Sequence, residues 1–522
     1  MEQELNFFYL FLSFIPLISI LTLIMGFKWG GGKAGAFSWF IASIIGYSFF
    51  GADLNLIAVS SLKGLWTTVF ILYIIWGAMA LYNIVAKIDG FEVISDTFTG
   101  LTGKSKVLQL LVISWVFVSL LQGVAGFGTP IAVAAPLLVG LGFSPIVATS
   151  AALLGRAWAV TFGSLGSSYA ALIKITDLDP NALAFWSSIF LTVVCIITGL
   201  SISYLYDKKE GLKKGTPAAL ILAVSMGGTL IITANFILPY IATLVAGLVG
   251  MIVGTFILPK TKWYNTGNVK TKSKTSSISF HTAFTPYYSL LALAFIIYLT
   301  PIKEIFSVYK IGLPFPRTET ALGIVNNAIT SYSPVAIITT PGTLVLLSVI
   351  ISIIIFIKKG LWKKSYGKEI LKSLINQAIP ATVTIMTMSM MAVVMIETGM
   401  TSFLAKGTAE MASNIFPIIS PFIGILGTFM AGTNSSSNII FGAFQKNVAI
   451  YLGINSIIIA SLQTTGGSIG TIIAPMNVAL GTGVTKIVGK EGEILKNIFK
   501  YVIIMGLSVG ILAFILIYFL KF

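Results

Sequence analysis

Two short polar patches break this otherwise apolar chain, and a single offset relates both the patches and the residues after them. The first is Gln122-Gly123-Val124-Ala125-Gly126-Phe127-Gly128-Thr129-Pro130; the second is Gly432-Thr433-Asn434-Ser435-Ser436-Ser437-Asn438. A Leu-Gly pair comes after each, Leu141-Gly142 and Leu452-Gly453, and 453 − 142 is 311. Without a gap the same offset lays Gln122 on Thr433, Ser150 on Ser461 and Gly155 on Gly466. The chain reads as two weakly similar halves, each interrupted by glycine and small polar residues inside a hydrophobic stretch. Unwound backbone at membrane depth is tolerated only where it is buried in protein or lines a cavity, so the breaks point to a binding site.

The membrane setting follows from composition. The 522 residues are 56% hydrophobic and only 10% charged, where soluble domains carry about 25% charged residues. This is a polytopic membrane protein with no room for a separate soluble domain. Its apolar runs reach the ~20 residues of a spanning helix rather than the ~10-residue alternating segments of a barrel. The start is acidic (Glu2, Glu4) and Phe7 to Phe27 is long enough to span and stay, so no cleavable signal is expected. A single cysteine, Cys195, excludes an intrachain disulfide and a CxxC metal site, and a single histidine, His281, excludes a multi-histidine cluster. No metal and no cofactor is expected. The net charge of +16 comes from lysines in short loops between spans, which argues against a nucleic-acid partner and for a lipid bilayer.

Those lysines set the topology. Lys28 and Lys33, Lys208 to Lys214, Lys260 to Lys274 and Lys358 to Lys372 form basic loops expected on the cytoplasmic side. Pro301 to Thr340 is then an external loop, and both termini are external at the cell membrane. The helix leading to Gln122 starts near Lys104 and Lys106, inside; the span Ile375 to Ile396 runs outward, so the helix leading to Thr433 starts outside. The expected fold is all-α, with about 12 to 14 membrane segments in two inverted repeats whose broken helices or re-entrant hairpins meet at the midplane. The segments are 1–106, N-terminal spans; 107–206, first core; 207–373, connecting spans and loops; 374–500, second core; and 501–522, a last span.

Helix N-termini supply free N–H groups and positive potential, which suits a small anion in the membrane. Glycines such as Gly126 and Gly128 let backbone approach a ligand, and Pro130 fits the first turn of a restarting helix. Ser435, Ser436, Ser437 and Asn438 offer hydroxyls and an amide at the matching break, groups that also suit a cation. Close helix packing through small residues is the plainer reading of each patch alone. Only Arg156 and Arg317 of the 33 basic residues are arginine, and Arg156 lies in the apolar run SAALLGRAWAVTF. An arginine at that depth usually faces a cavity or a partner; the plainer reading is a snorkelling anchor. Glu397, in MIETGM, is the one acid placed to carry a proton, or else an interfacial glutamate.

The stretches LLQGVAGFGTPIAVAAPLLVGLGFSPIVA, GTNSSSNIIFGAFQ and SLQTTGGSIGTIIAPMNVA resemble the L-lactate permease family of secondary carboxylate transporters, and the likeness covers nearly the whole chain. The resemblance implies uptake of lactate or a related 2-hydroxymonocarboxylate such as glycolate or D-lactate, driven by a cation gradient, usually of protons. By that analogy Ser436, Ser437 and Asn438 line the substrate site opposite Gly126, Phe127, Gly128 and Thr129; the expected site adds Gln122, Arg156, Thr464, Thr465, Gly466 and Gly467, with Glu397, Asn434 and Ser435 at the coupling ion. The chain departs from the family pattern where many members have Glu-Gly (here Gln122-Gly123), an Asp (here Asn434) and, in some, a neutral polar residue (here Arg156). Amides do not titrate, so proton coupling through the first two positions is in doubt, which leaves H⁺ through Glu397 or Na⁺ at the hydroxyl tips. A passive anion channel is the competing class; an intramembrane enzyme lacks any metal constellation, GxSxG or paired acids.

Overall fold

A computed structural model describes residues 7–27, 29–101, 105–124, 126, 128–264, 278–298, 300–306 and 308–522. Lys28, Lys104, Phe127, Lys270, Lys272 and Lys274 lie outside the described residues. Ten helices among the described residues are long and apolar enough to cross a membrane. That is fewer than the sequence suggests, for two physical reasons. The stretch Pro180–Ile237 is two spans, because the backbone reverses at Asp207 and Lys208, where Lys208 has a φ of 45°. Beyond that turn Thr192 lies against Gly227, Gly199 against Ala219 and Gly215 against Ser203, the pairing of an antiparallel hairpin. Three further apolar helices, Thr129–Gly140, Pro145–Gly155 and Thr285–Ile297, are too short to span alone.

The fold is mostly helical but not all-α. The loop expected outside folds into two small antiparallel pairs, Ile311–Phe315 with Ile329–Val335 and Thr318–Glu319 with Val325–Asn326. It can do so because it lies beyond the apolar spans, where strand edges meet water.

The offset of 311 recurs in the elements. Pro145–Gly155 and Ser456–Gly470 begin 311 residues apart, as do Pro180–Ile232 and Glu491–Tyr518. Gly31–Phe49 and Pro341–Lys358, and Leu54–Lys87 and Tyr366–Glu397, match to within about a residue. The last pair packs side by side and runs antiparallel: Gly64 O accepts from Ser389 (2.9 Å), Trp76 donates to Thr382 (3.0 Å) and Asn83 donates to Gln377 (3.2 Å).

At the centre lie the helical stretches Lys106–Val124, wholly buried over its apolar window, and Ser456–Val484, 94% buried. Glycines set how closely these approach. A methyl at Gly155 would overlap the Ser114 carbonyl, and one at its counterpart Gly466 would overlap the Pro421 carbonyl. Both positions exist to bring helix backbones together.

Candidate functional site

The two polar patches meet at one cavity. Gln122, Arg156, Val160, Ser164, Ser167 and Ser168 from the first half line it with Gly432, Thr433, Asn434, Ser435, Thr471 and Asn477 from the second. Its volume is about 20 Å³, room for little more than one water molecule.

Each break has a local cause. Lys106–Val124 gives way to Thr129–Gly140, whose N-cap Gly128 has a φ of 90° and whose first turn contains Pro130. That turn needs glycine for its left-handed backbone and accepts proline because its N–H has no helical partner. The helix Phe416–Ala431 ends on Gly432 at a φ of 76°, and Thr433 caps Asn434–Tyr451, its Oγ1 accepting from Ser436 N at 3.1 Å. The second interruption is therefore Gly432 and Thr433 alone, not the whole polar patch to Asn438. A left-handed glycine followed directly by a threonine cap ends one helix and restarts the next at once. Ser435, Ser436, Ser437 and Asn438 sit in the first turns of the restarting helix.

Two further interruptions complete the site. Arg156 to Phe162 separates Pro145–Gly155 from Gly163–Thr176, and Thr471 to Ala474 separates Ser456–Gly470 from Pro475–Val484. Ser164, Leu165 and Gly166 all have positive φ (47°, 54° and 68°). Two non-glycine residues held there carry strain, and such strain concentrates where a ligand must be met.

A polar lattice ties the halves together. Asn434 Nδ2 donates to Thr464 O (3.0 Å), and Asn438 Nδ2 donates to Ser168 O and Thr464 Oγ1 (both 2.9 Å). Thr161 Oγ1 donates to Thr464 O (3.1 Å), and Ser168 and Ser435 share a hydroxyl bond (3.1 Å). Ser468 Oγ donates to Ala157 O (2.6 Å); these two residues are themselves 311 apart, so the halves touch at corresponding points.

What the lattice leaves over defines the chemistry. Arg156 is 3% exposed, and its Nε and Nη1 have no acceptor among the described residues. Gln122 Oε1, Asn434 Oδ1 and Asn438 Oδ1 are buried with no donor among the described residues. Buried polar groups are nearly always paired, and an uncompensated buried cation is the costlier case. No carboxylate lines the cavity. It is complementary to a small anion that also carries a hydrogen-bond donor.

The other residues expected at the site have different surroundings. Gly126 lies against Ser164, and Gly128 against Leu480. Thr129 is half-buried at the head of its helix. Ser436 bonds Thr433 (2.9 Å) and Ser437 bonds Gly424 O (3.0 Å). Thr464 is at the heart of the lattice, whereas Thr465 bonds back to Ser461 O (2.8 Å). Gly466 packs on Pro421 and Gly467 on the Asn434 amide. Glu397 does not line the cavity. It is buried in an ion pair with Lys63 (2.5 Å) and accepts from Ser60 (2.7 Å).

Sequence reasoning missed Ser164, Ser167, Ser168, Thr471 and Asn477, together with Lys63. The Gly155 and Gly466 match already marked the two extra interruptions, since each lies at or near the end of the helix before one. Nothing local marked Lys63, a lone lysine in SSLKGLW.

Comparison with known proteins shows the family. The family model described as L-lactate permease matches residues 10–520. An L-lactate permease of Salmonella typhi is 26% identical over 96% of this chain and 94% of its own. Glycolate permease GlcA of Escherichia coli (strain K12) is 26% identical over the same shares. Among solved structures, the Alcanivorax borkumensis YdaH transporter aligns over 88% of this chain and 87% of its own at 14% identity, with a TM-score of 0.44.

Proposed function

We propose that this chain, which belongs to the L-lactate permease family, moves a small 2-hydroxymonocarboxylate, lactate or glycolate, across the cell membrane by alternating access. Arg156 carries the reading. It is a buried guanidinium with two unpaired N–H groups at a cavity that no acid lines. A substrate carboxylate takes the planar fork, and the substrate 2-hydroxyl donates to a free amide oxygen of Gln122 or Asn434. The named relatives, a lactate permease and a glycolate permease, supply the substrate class.

Residues 31–206 and 341–518 are read as two inverted repeats. Support comes from the shared offset and from the antiparallel course of the counterpart helices Leu54–Lys87 and Tyr366–Glu397. Helices related by a half-turn about an axis in the membrane plane must run in opposite directions. Both termini are read as external, because the lysine-rich loops favour the cytoplasmic side. Lactate is larger than the present cavity, so binding requires the halves to part, which a rocking carrier does and a fixed pore does not. A proton gradient would act through Glu397, and a sodium gradient through the oxygens of Asn434 and Ser435.

The test is uptake of radiolabelled L-lactate and glycolate into proteoliposomes by the full chain and by Arg156→Ala. Saturable uptake that the substitution abolishes supports the reading. Lack of uptake of either acid, or uptake indifferent to Arg156→Ala, would sink it.

A further inference from the structure

We infer that this carrier works chiefly as a carboxylate exchanger, returning across the membrane fast only when a second carboxylate is bound. The inference rests on the reading of Arg156 as the substrate's counter-charge. Three charged side chains are buried among the described residues: Lys63, Arg156 and Glu397. Lys63 and Glu397 neutralise each other at 2.5 Å. Arg156 has no acidic partner among the described residues, so their buried interior carries one uncompensated positive charge.

That surplus decides which half of the transport cycle is fast. With a monocarboxylate on Arg156 the core is neutral while it is closed to both sides. Without one, the closing core must pass around a bare guanidinium, and its cavity of about 20 Å³ hydrates that ion with little more than a single water. An unpaired ion taken from water into a protein interior is strongly disfavoured, and at bilayer depth more so. The open states wet Arg156 and carry no such penalty; only the crossing does. A protonatable acid beside Arg156 would remove the surplus, but Gln122 and Asn434, which line the cavity with it, are amides, and the sole buried carboxylate among the described residues is held by Lys63 and Ser60. Exchange keeps the core neutral in both directions, so it is also insensitive to membrane potential.

The experiment compares initial uptake of labelled L-lactate into proteoliposomes of the intact chain, loaded with unlabelled L-lactate or with buffer, at equal pH and equal Na⁺ on both sides. Expected is uptake at least about tenfold faster into the loaded vesicles, since even a small part of an ion's burial cost slows the empty return by that much. Uptake into loaded vesicles should not change when a potassium diffusion potential is imposed. Equal rates into loaded and empty vesicles would overturn the inference, as would accumulation into empty vesicles driven by an inward H⁺ or Na⁺ gradient. Uptake into neither would instead sink the substrate reading beneath it. Arg156→Gln gives a second readout: in whatever transport survives, the ratio of loaded to empty rates falls toward one. A ratio unchanged from the intact chain overturns the role given to this charge.

Discussion

An arginine in a chain whose basic residues are all lysine but for Arg156 and Arg317 is a choice of geometry as well as charge. A guanidinium offers a rigid fork of donors that fits a carboxylate with two parallel bonds, whereas an ammonium is a point charge on a flexible stem. Arg156 caps the end of Pro145–Gly155, so its backbone is fixed by a helix terminus and its side chain by the cavity walls. Arg156→Lys keeps the charge and loses the fork. The expected result is a fall of about tenfold or more in kcat/KM for L-lactate, with unchanged folded yield, measured by uptake kinetics in proteoliposomes. Gly155 and Gly466 act differently, through packing alone. Alanine at either forces a methyl into a carbonyl of the neighbouring helix, so each variant should lose about 1–3 kcal/mol of stability. A thermal melt in detergent that matches the unsubstituted chain would remove the close-approach role.

At the scale of elements, the most tightly coupled pair is Leu54–Lys87 against Tyr366–Glu397, with the Lys63 and Glu397 ion pair between them. The short strands of the loop 311–335 close over it: Lys63 Nζ lies 5.8 and 5.7 Å from the Phe315 and Tyr332 ring centroids, and Asn326 donates to Glu397 O at 3.0 Å. Removing one partner of a buried ion pair strands the other charge. Lys63→Met should therefore cost about 3–5 kcal/mol, and Lys63→Met with Glu397→Met should recover much of it. Glu397→Gln also tests proton carriage: exchange into loaded vesicles that persists in this variant leaves Glu397 as the partner of Lys63 alone, whereas pH-driven uptake by the intact chain that the variant loses would assign the proton to Glu397 and overturn the exchanger reading. The breaks themselves were legible in the sequence because glycine, proline and small polar residues are rare in an apolar run and recur here at one offset. Gln122 and Asn434 were legible because they lie in those breaks, and Arg156 because it is one of two arginines among 33 basic residues and sits in an apolar run. Ser164 and Ser167 were not, since they reach the cavity through a left-handed turn that no residue pattern marks. Lys63 finds its partner 334 positions away, beyond the reach of any local rule. The loop strands escaped notice because short alternations in a loop are indistinguishable from coil until a partner strand is known.

For the whole molecule, the inverted arrangement proposed for the two halves predicts that points 311 residues apart face opposite sides of the membrane. Leu54 opens the helix Leu54–Lys87, and the same offset lays it on Ser365, just ahead of Tyr366–Glu397. Both residues are exposed, Leu54 at 73%. The helix from Leu54 ends at Lys87, beside Glu369 near the start of its antiparallel neighbour. That end lies with Lys363, Lys364 and Lys368, a basic loop that the excess of lysine predicts to be cytoplasmic. On that orientation Leu54 is predicted outside and Ser365 inside. The chain's one cysteine, Cys195, is buried and can be replaced by serine to give a silent background. In that background Leu54→Cys should react with a membrane-impermeant maleimide on intact cells, and Ser365→Cys only after the membrane is opened. Labelling of both from the same side would break the inverted arrangement, and with it the argument that the two interrupted helices approach one cavity from opposite faces.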